Sequence, residues 1–351
     1  MCRTARPAPH APLASHHSRE NSVSIPSRRR AAAVATLSAI AALATSVPSA
    51  AAAPASHDVP KLQVLAYNAF LFSKNLYPNW GQDFRAKAIP AAPFFQGNDV
   101  VVLQELFDNA SSDALGRHAA AQYPYQTPVV GRGRTGWDAT GGSYAATTPE
   151  DGGVTVYSKW PIVRKEQFVF KEACGSDWYS NKGFAYVVLN VNGTRVHVVG
   201  THLQSTDPGC RAGEAAARRS AQLRQIDAFL DAKKIPAGEQ VMVAGDFNVD
   251  SHSSEYASML RDGGLDDASS RTGHPYSFDT ADNSIAAERY PTDPREDLDF
   301  VLHRTGHARP ASGWTNHVVK ERSVPWTVSS WGTSYTYTNL SDHYPVVASA
   351  K

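Results

Sequence analysis

The chain has 351 residues, 42% of them hydrophobic and 19% charged, with 34 Lys and Arg against 33 Asp and Glu. This composition holds enough apolar material for a sizeable core and excludes a disordered chain, a collagen and a coiled coil. The even charge balance excludes a strongly basic nucleic-acid binder, and three cysteines are too few for a disulfide scaffold.

The charges are unevenly placed. The first 55 residues carry six basic side chains (Arg3, Arg6, Arg19, Arg28, Arg29, Arg30) and one acidic one, Glu20, in a background of Ala, Pro, Ser and His. Arg28-Arg29-Arg30, the apolar run Ala31–Val47 and the small residues ending in Ala53-Pro54-Ala55 have the order of a secretory signal, so residues 1–55 are expected to be removed on export. A membrane anchor is the weaker alternative, because the run is short and Ala-rich and no charge cluster follows it. The twin-Arg route is poorly matched. The remainder, residues 56–351, holds 28 basic and 32 acidic side chains, a net charge of −4, and reads as a single domain. Export removes Cys2 and leaves Cys174 and Cys210 in an oxidising compartment. They either pair, closing a 36-residue separation for about 4 kcal/mol on the chain-entropy argument, or remain two separate buried thiols.

In chain order, β-branched and aromatic runs predict strands over Leu62–Asn68, Val100–Glu105, Val154–Ser158, Ile162–Phe170, Phe184–Asn190, Arg195–His202, Gln240–Asp246, Asp299–His303 and Pro345–Ala348. Asn192-Gly193 is a tight-turn signal, so Phe184–His202 is expected to be an antiparallel hairpin. A helix is predicted from about Gly213 to Lys233, with Leu223, Ile226 and Leu230 on one face and Glu214 four residues before Arg218 on another. Many strands, helices between some of them and hairpins between others indicate a mixed sheet in layers with helices outside.

Several strands end in metal-binding or proton-transfer residues. Asn68 closes the first; Gln104-Glu105, Thr201-His202-Leu203-Gln204-Ser205 and Gly245-Asp246-Phe247-Asn248 close three others; Ser341-Asp342-His343-Tyr344-Pro345 precedes the last. Singly, each has an ordinary structural explanation, a satisfied histidine or a helix cap. Together with Leu298-Asp299-Phe300, and in this order from Asn68 to His343, they resemble the endonuclease/exonuclease/phosphatase superfamily, the fold of deoxyribonuclease I. The resemblance implies a four-layer α/β sandwich of two packed mixed β-sheets flanked by helices.

The local wording is similar to that of secreted bacterial sphingomyelinases: Gln104-Glu105-Leu106-Phe107-Asp108-Asn109, Glu150-Asp151-Gly152-Gly153-Val154, Ser158-Lys159-Trp160-Pro161-Ile162, Thr201-His202-Leu203-Gln204-Ser205 and Tyr335-Thr336-Tyr337 with Ser341-Asp342-His343-Tyr344-Pro345. The resemblance implies a Cys174–Cys210 disulfide and hydrolysis of the bond between ceramide oxygen and phosphorus, releasing phosphocholine. It implies Mg²⁺, with Mn²⁺ or Co²⁺ as alternatives, on Glu105 and Asn68, hard oxygen donors of the kind such ions prefer. His343 is the expected general base and Asp299 its orienting carboxylate. Asp246 and Asn248 are expected to orient water and phosphate, Asp246 or Asp342 to hold a second metal, and His202 to donate to the developing phosphoryl charge. Asn109, Glu150 and Asp151 match a peripheral cation site, against which stands a solvated acidic turn.

Phe107 is the expected aromatic face for the quaternary ammonium, with core packing as the alternative. Trp314, Trp326, Trp331, Tyr335 and Tyr337 suggest an interfacial anchor, and Val328–Tyr335 resembles a membrane-contacting hairpin in which Gly332 replaces a bulky apolar residue. The alternative is an aromatic strand pair packed on the body. The expected protein is a secreted monomer acting at membrane surfaces without nucleic acid. A nuclease with the same metal and histidines would need a basic groove, against which the net −4 argues; a broader choline-phospholipid phospholipase C stays open. An inert binding module would have lost part of the set Glu105, His202, Asp246, Asn248 and His343, and all five are present.

Overall fold

The computed structural model describes residues 59–330 and 332–351. The expected signal segment and Trp331 lie outside the described residues. Among those described, two seven-stranded sheets and a separate hairpin, Trp326–Ser330 with Thr333–Tyr337, make up the β-structure. Across the first sheet run Ser270–Gly273, Trp314–Val318, Val346–Ala350, Val64–Asn68, Val100–Gln104, Thr155–Ser158 and Tyr125–Gln126. Across the second run Leu265–Asp266, Asp299–Arg304, Gln240–Asp246, Thr194–His202, Gly183–Val191, Ile162–Val169 and Ala139–Gly142. Both mix parallel and antiparallel pairs, as expected: Val64–Asn68 is parallel to Val100–Gln104, Thr194–His202 is parallel to Gln240–Asp246, and the rest of each centre is antiparallel.

The alternation of side chains along the strands builds the layers. Val64, Ala66, Val100, Val102, Val198, Met242 and Ala244 point between the sheets and form one core. Leu65, Tyr67, Val101 and Leu103 point outward from the first sheet, against Ile89 and Leu115 of helices Gln82–Ala91 and Asn109–Ala119. Val199, Val241, Val243 and Leu302 point outward from the second, against Leu223, Ile226, Leu230 and Met259 of helices Glu214–Lys233 and Glu255–Gly263. The order is helix, sheet, sheet, helix. No helix among the described residues is long and apolar enough to cross a membrane.

Two local expectations hold closely. Asn192 (φ 52°) and Gly193 (φ 91°) close the hairpin, which pairs Val191 with Thr194 and Phe184 with Thr201. The long helix runs Glu214–Lys233, carries the Glu214–Arg218 pair at 2.9 Å and ends where Lys234 turns left-handed. One expectation shifts: the second strand stops at Gln104, and Glu105 lies beyond it.

Gly200 sets how closely the sheets approach, since a Cβ there would sit 2.8 Å from Val102 and 2.9 Å from Val156 across the gap. Cys174 and Cys210 are joined in a disulfide across 36 residues. Gly200→Val is expected to cost about 1–3 kcal/mol by overpacking the gap. Breaking the disulfide is expected to cost up to about 4 kcal/mol. Denaturant unfolding of the variant and of the reduced protein checks both.

Candidate active site

The strand ends meet at one end of the sandwich. Parallel register sets Asn68 beside Gln104 in the first sheet. In the second, His202 is beside Asp246 and Asp246 beside Asp299, so three polar residues share one row. The row needs Gly245 (φ 143°), where a Cβ would lie 1.9 Å from the Thr201 carbonyl oxygen. Phe70, Glu105 and Asn248 adopt left-handed backbone at φ 52°, 57° and 51°, conformations uncommon outside glycine and typical of sites that override backbone preference. Surrounding hydrogen bonds fix them: Leu71 N donates to the Glu105 carbonyl at 2.9 Å and Leu106 N to that of Gly153 at 3.0 Å.

Two hydrogen bonds join the sheets at this end. Asn68 Nδ2 donates to Asp246 Oδ2 at 3.0 Å, and His343 Nδ1 is 2.8 Å from Asp299 Oδ2. The free nitrogen of His343, Nε2, looks toward Asp246 Oδ2 at 3.9 Å. Asp246 Oδ1 accepts from Asn248 N at 2.8 Å, and Asn248 Nδ2 donates to the Leu203 carbonyl at 3.1 Å. His202 Nε2 lies 3.6 Å from Asp246 Oδ2 and 4.0 Å from Glu105 Oε1. The Ser341 hydroxyl donates to the Asn68 carbonyl at 2.6 Å and sits 3.1 Å from Asp342 Oδ1, tying the His343 turn to the first strand.

Burial dominates the electrostatics. Desolvation and then Asp342 push Glu105 up to about 8, and desolvation raises Asp342 too. Burial and Asp246 lift Asp299 to about 6 against the pull of the imidazole. Burial opposes charge on His343, but Asp299, Asp342 and Asp246 together hold it well above its ordinary value. His202 goes the other way, lowered by burial and then by Lys182 and His343.

Lys182 and Arg85 are absent from the sequence reading. Lys182 Nζ is buried 3.2 Å from His202 Nε2, 2.9 Å from Asp177 Oδ2 and 3.3 Å from the Leu203 carbonyl. An ammonium only donates, so this contact makes His202 Nε2 an acceptor and leaves the proton on Nδ1. A signal existed: the Asn192-Gly193 turn sets a register that carries Lys182 toward Leu203. Arg85 is fully buried, its nitrogens donating to the carbonyls of Ala69 (2.7 Å), Phe70 (2.6 Å) and Leu340 (3.4 Å). It thereby clamps the chain just after Asn68 to the chain just before Asp342 and His343. No local pattern marks it.

The donor set suits a hard divalent cation. Glu105 Oε2 and Asp299 Oδ1 are buried without a hydrogen-bond partner, and Asn68 and Asp246 add oxygens beside Glu105. Ligand atoms of Asp246, Asp299 and His343 also lie within 4.8 Å of one another, but the His343–Asp299 bond already occupies two of them. A second acidic group, His274, Asp279 and Asp282, is filled by cations: Arg295 on Asp279, Lys320 and Arg322 on Asp282.

Asn109, Glu150 and Asp151 line one hollow of about 100 Å³. Asp151 has both oxygens engaged, by Gly153 N at 2.8 Å and Arg132 Nε at 3.1 Å. Phe107 is only 9% exposed and stacks on Phe72. The aromatic segment divides. Trp314 is core, donating to the Val301 carbonyl at 2.9 Å; Trp326 donates to the Asn339 carbonyl at 3.0 Å; Tyr337 is buried beside it and Tyr335 half-buried. Trp314 and Trp326 therefore serve packing, because their indole N–H groups find acceptors inside.

Residues 65–343 match the endonuclease/exonuclease/phosphatase family. A sphingomyelinase C of Bacillus cereus is 46% identical over 294 residues, spanning 82% of this chain and 88% of that protein. The chain belongs to this family, within its sphingomyelinase C branch. The crystal structure of sphingomyelinase C from Streptomyces griseocarneus is similar at TM-score 0.82 and 76% identity, over 84% of this chain and all of that one. A beta toxin structure from Staphylococcus aureus with bound magnesium ions is similar at TM-score 0.82 and 43% identity, over 83% of this chain and all of that one.

The raised Glu105 has a consequence for this sphingomyelinase C relative's stability. A carboxyl favoured neutral by folding contributes most at low pH, and its contribution falls as pH rises from the unfolded value of 4.5 to about 8. In EDTA, Glu105→Gln is expected to melt above the wild type at pH 8 and level with it at pH 4. Added Mg²⁺ should raise the wild-type melting temperature and not the variant's; thermal scans at both pH values decide.

Proposed function

We propose that this sphingomyelin phosphodiesterase works in the cleft between the strand ends, where water attacks the phosphorus of sphingomyelin and ceramide leaves with its oxygen. The observation carrying this reading is the His343–Asp299 pair, aimed from one sheet to the other beside the Asn68–Asp246 bond and the unpartnered Glu105 oxygen. Glu105, with Asn68 and Asp246 or Asp342 beside it, would hold Mg²⁺, or Mn²⁺ or Co²⁺ in its place. When bound, such a cation neutralises charge on the phosphoryl oxygens and on the leaving alkoxide.

His343 takes the proton of the attacking water on Nε2, the ring nitrogen that Asp299 leaves free. Asp299 fixes the tautomer and stabilises the imidazolium that forms. Asp246 and Asn248, locked together by their own hydrogen bond, orient water and phosphate. On the opposite wall we assign His202 to donate to the developing phosphoryl charge, its Nε2 taking a proton from the Lys182 ammonium 3.2 Å away. We assign the trimethylammonium end to Phe107 and the ring stacked with it, a peripheral cation to Asn109, Glu150 and Asp151, and membrane contact to Trp331 and the hairpin of Trp326–Ser330 with Thr333–Tyr337. Residues 1–55 direct export, residues 56–351 act as one secreted domain, and the working form is a monomer.

Phosphocholine release from sphingomyelin and phosphatidylcholine vesicles, with Mg²⁺ and with EDTA and beside a plasmid-nicking control, tests the reading. Metal-dependent release from sphingomyelin without nicking is expected; nicking without lipid turnover would overturn it. His343→Ala should lower turnover by roughly 10²–10⁴-fold with the fold intact. Asp299→Asn should also lower it. Removing the carboxylate that raises His343 should move the acidic limb of kcat/KM to lower pH, and a limb that stays or moves up contradicts the assigned pair.

A further inference from the structure

We propose that Trp178 and Tyr179 form a lipid-facing patch on the His202 side of the cleft, in contact with the bilayer that presents the substrate. The inference rests on the sphingomyelin reading above. A phosphorus held at a bilayer surface reaches His343, 6% exposed, and Asp246, 1% exposed, only when the rim of the cleft meets that surface.

Trp178 and Tyr179 are 65% and 62% exposed. A single exposed apolar side chain is ordinary; two adjacent large rings held outward by a well-anchored turn point to a partner. The anchoring is extensive. The turn Gly175–Tyr179 follows the disulfide-bonded Cys174, whose backbone is gripped on both sides by the Gln204 amide at 2.9 and 3.1 Å. Ser176 N donates to Asp207 at 3.0 Å, Glu150 N donates to the Tyr179 carbonyl at 3.1 Å, and buried Asp177 accepts from Ser205 N at 2.8 Å. None of these ties involves either ring, and both rings are left out.

The same ties place the patch. Asp177 leads to Lys182 at 2.9 Å and Lys182 to His202 at 3.2 Å, two contacts from rim to cleft wall. The hairpin belongs to the other side: Ser330 Oγ donates to the Pro78 carbonyl at 2.8 Å, Arg289 lies over both Trp80 and Tyr335, and Trp80 stacks on Phe70, two residues past Asn68. The cleft thus opens between two aromatic elements. Trp and Tyr, apolar rings with one polar tip, suit the headgroup level of a bilayer better than its interior.

The test uses the full mature chain. In a His343→Ala background with Mg²⁺, adding Trp178→Ala and Tyr179→Ala should weaken co-sedimentation with sphingomyelin vesicles by about tenfold, and Trp178→Phe alone should keep most of it. In the active background the double variant should hydrolyse a monomeric short-chain sphingomyelin within about twofold of wild type, while turnover on vesicles falls. Vesicle binding that survives the double substitution, or an equal loss on the monomeric substrate, overturns the inference. Failure of the His343→Ala parent itself to sediment would instead overturn the membrane reading beneath it.

Discussion

Four carboxylates, Glu105, Asp246, Asp299 and Asp342, are crowded into one buried end of a sandwich, and the rest of the site answers to that crowding. Unpaired, such a group cannot stay ionised in a low-dielectric interior. The protein spreads compensation over several cations of different kinds: an imidazole bonded to Asp299, a lysine beside His202, and an arginine near Glu105 and Asp342 that spends its hydrogen bonds on carbonyls rather than on either acid. Compensation remains incomplete at Glu105, whose second oxygen has no partner and whose proton affinity is strongly raised. That residual demand for positive charge is what makes a divalent cation fit there.

The two histidines show how neighbours separate chemically identical groups. Both are buried, and burial alone would keep both neutral. His343 is hydrogen-bonded to Asp299 and gains affinity for a proton; His202 has no carboxylate bonded to it, and burial, then Lys182 and His343, lower its affinity. One is thereby suited to accept a proton and the other to share one held by Lys182, a division that follows from which partner each ring is hydrogen-bonded to.

Much of this was legible in the sequence, for physical reasons that can be named. Asn68, His202, Asp246 and Asp299 sit at strand ends, Glu105 one residue beyond one and His343 just before another, so the apolar runs mark where they lie, while their reading as one set came from the family resemblance of their order; the layered fold follows from the same runs. Trp314 and Trp326 were misleading because sequence shows an aromatic ring but not the backbone acceptor that lets it be buried. Arg85 was invisible, since its partners Ala69, Phe70 and Leu340 are contributed as carbonyls, which every residue has. Lys182 lay between these cases, within reach of the hairpin register but unmarked by any motif. The helices Gln82–Ala91 and Asn109–Ala119 were missed because one contains Pro90 and the other is rich in Ser and Ala, so neither shows a clear apolar stripe.

Glycine at position 200 lies well inside the molecule and acts as a gauge for the gap between the sheets. Asn68 and Glu105 come from the first sheet's side, with His343 on the turn before one of its strands, and Asp246 and Asp299 come from the second, so the thickness of the valine layer between them sets the span that Asn68–Asp246 and His343–Asp299 must bridge. A methyl group more or less in that layer would change those two spans without altering any residue that makes them, so the interior valines are, in effect, the ruler against which this end of the sandwich is cut.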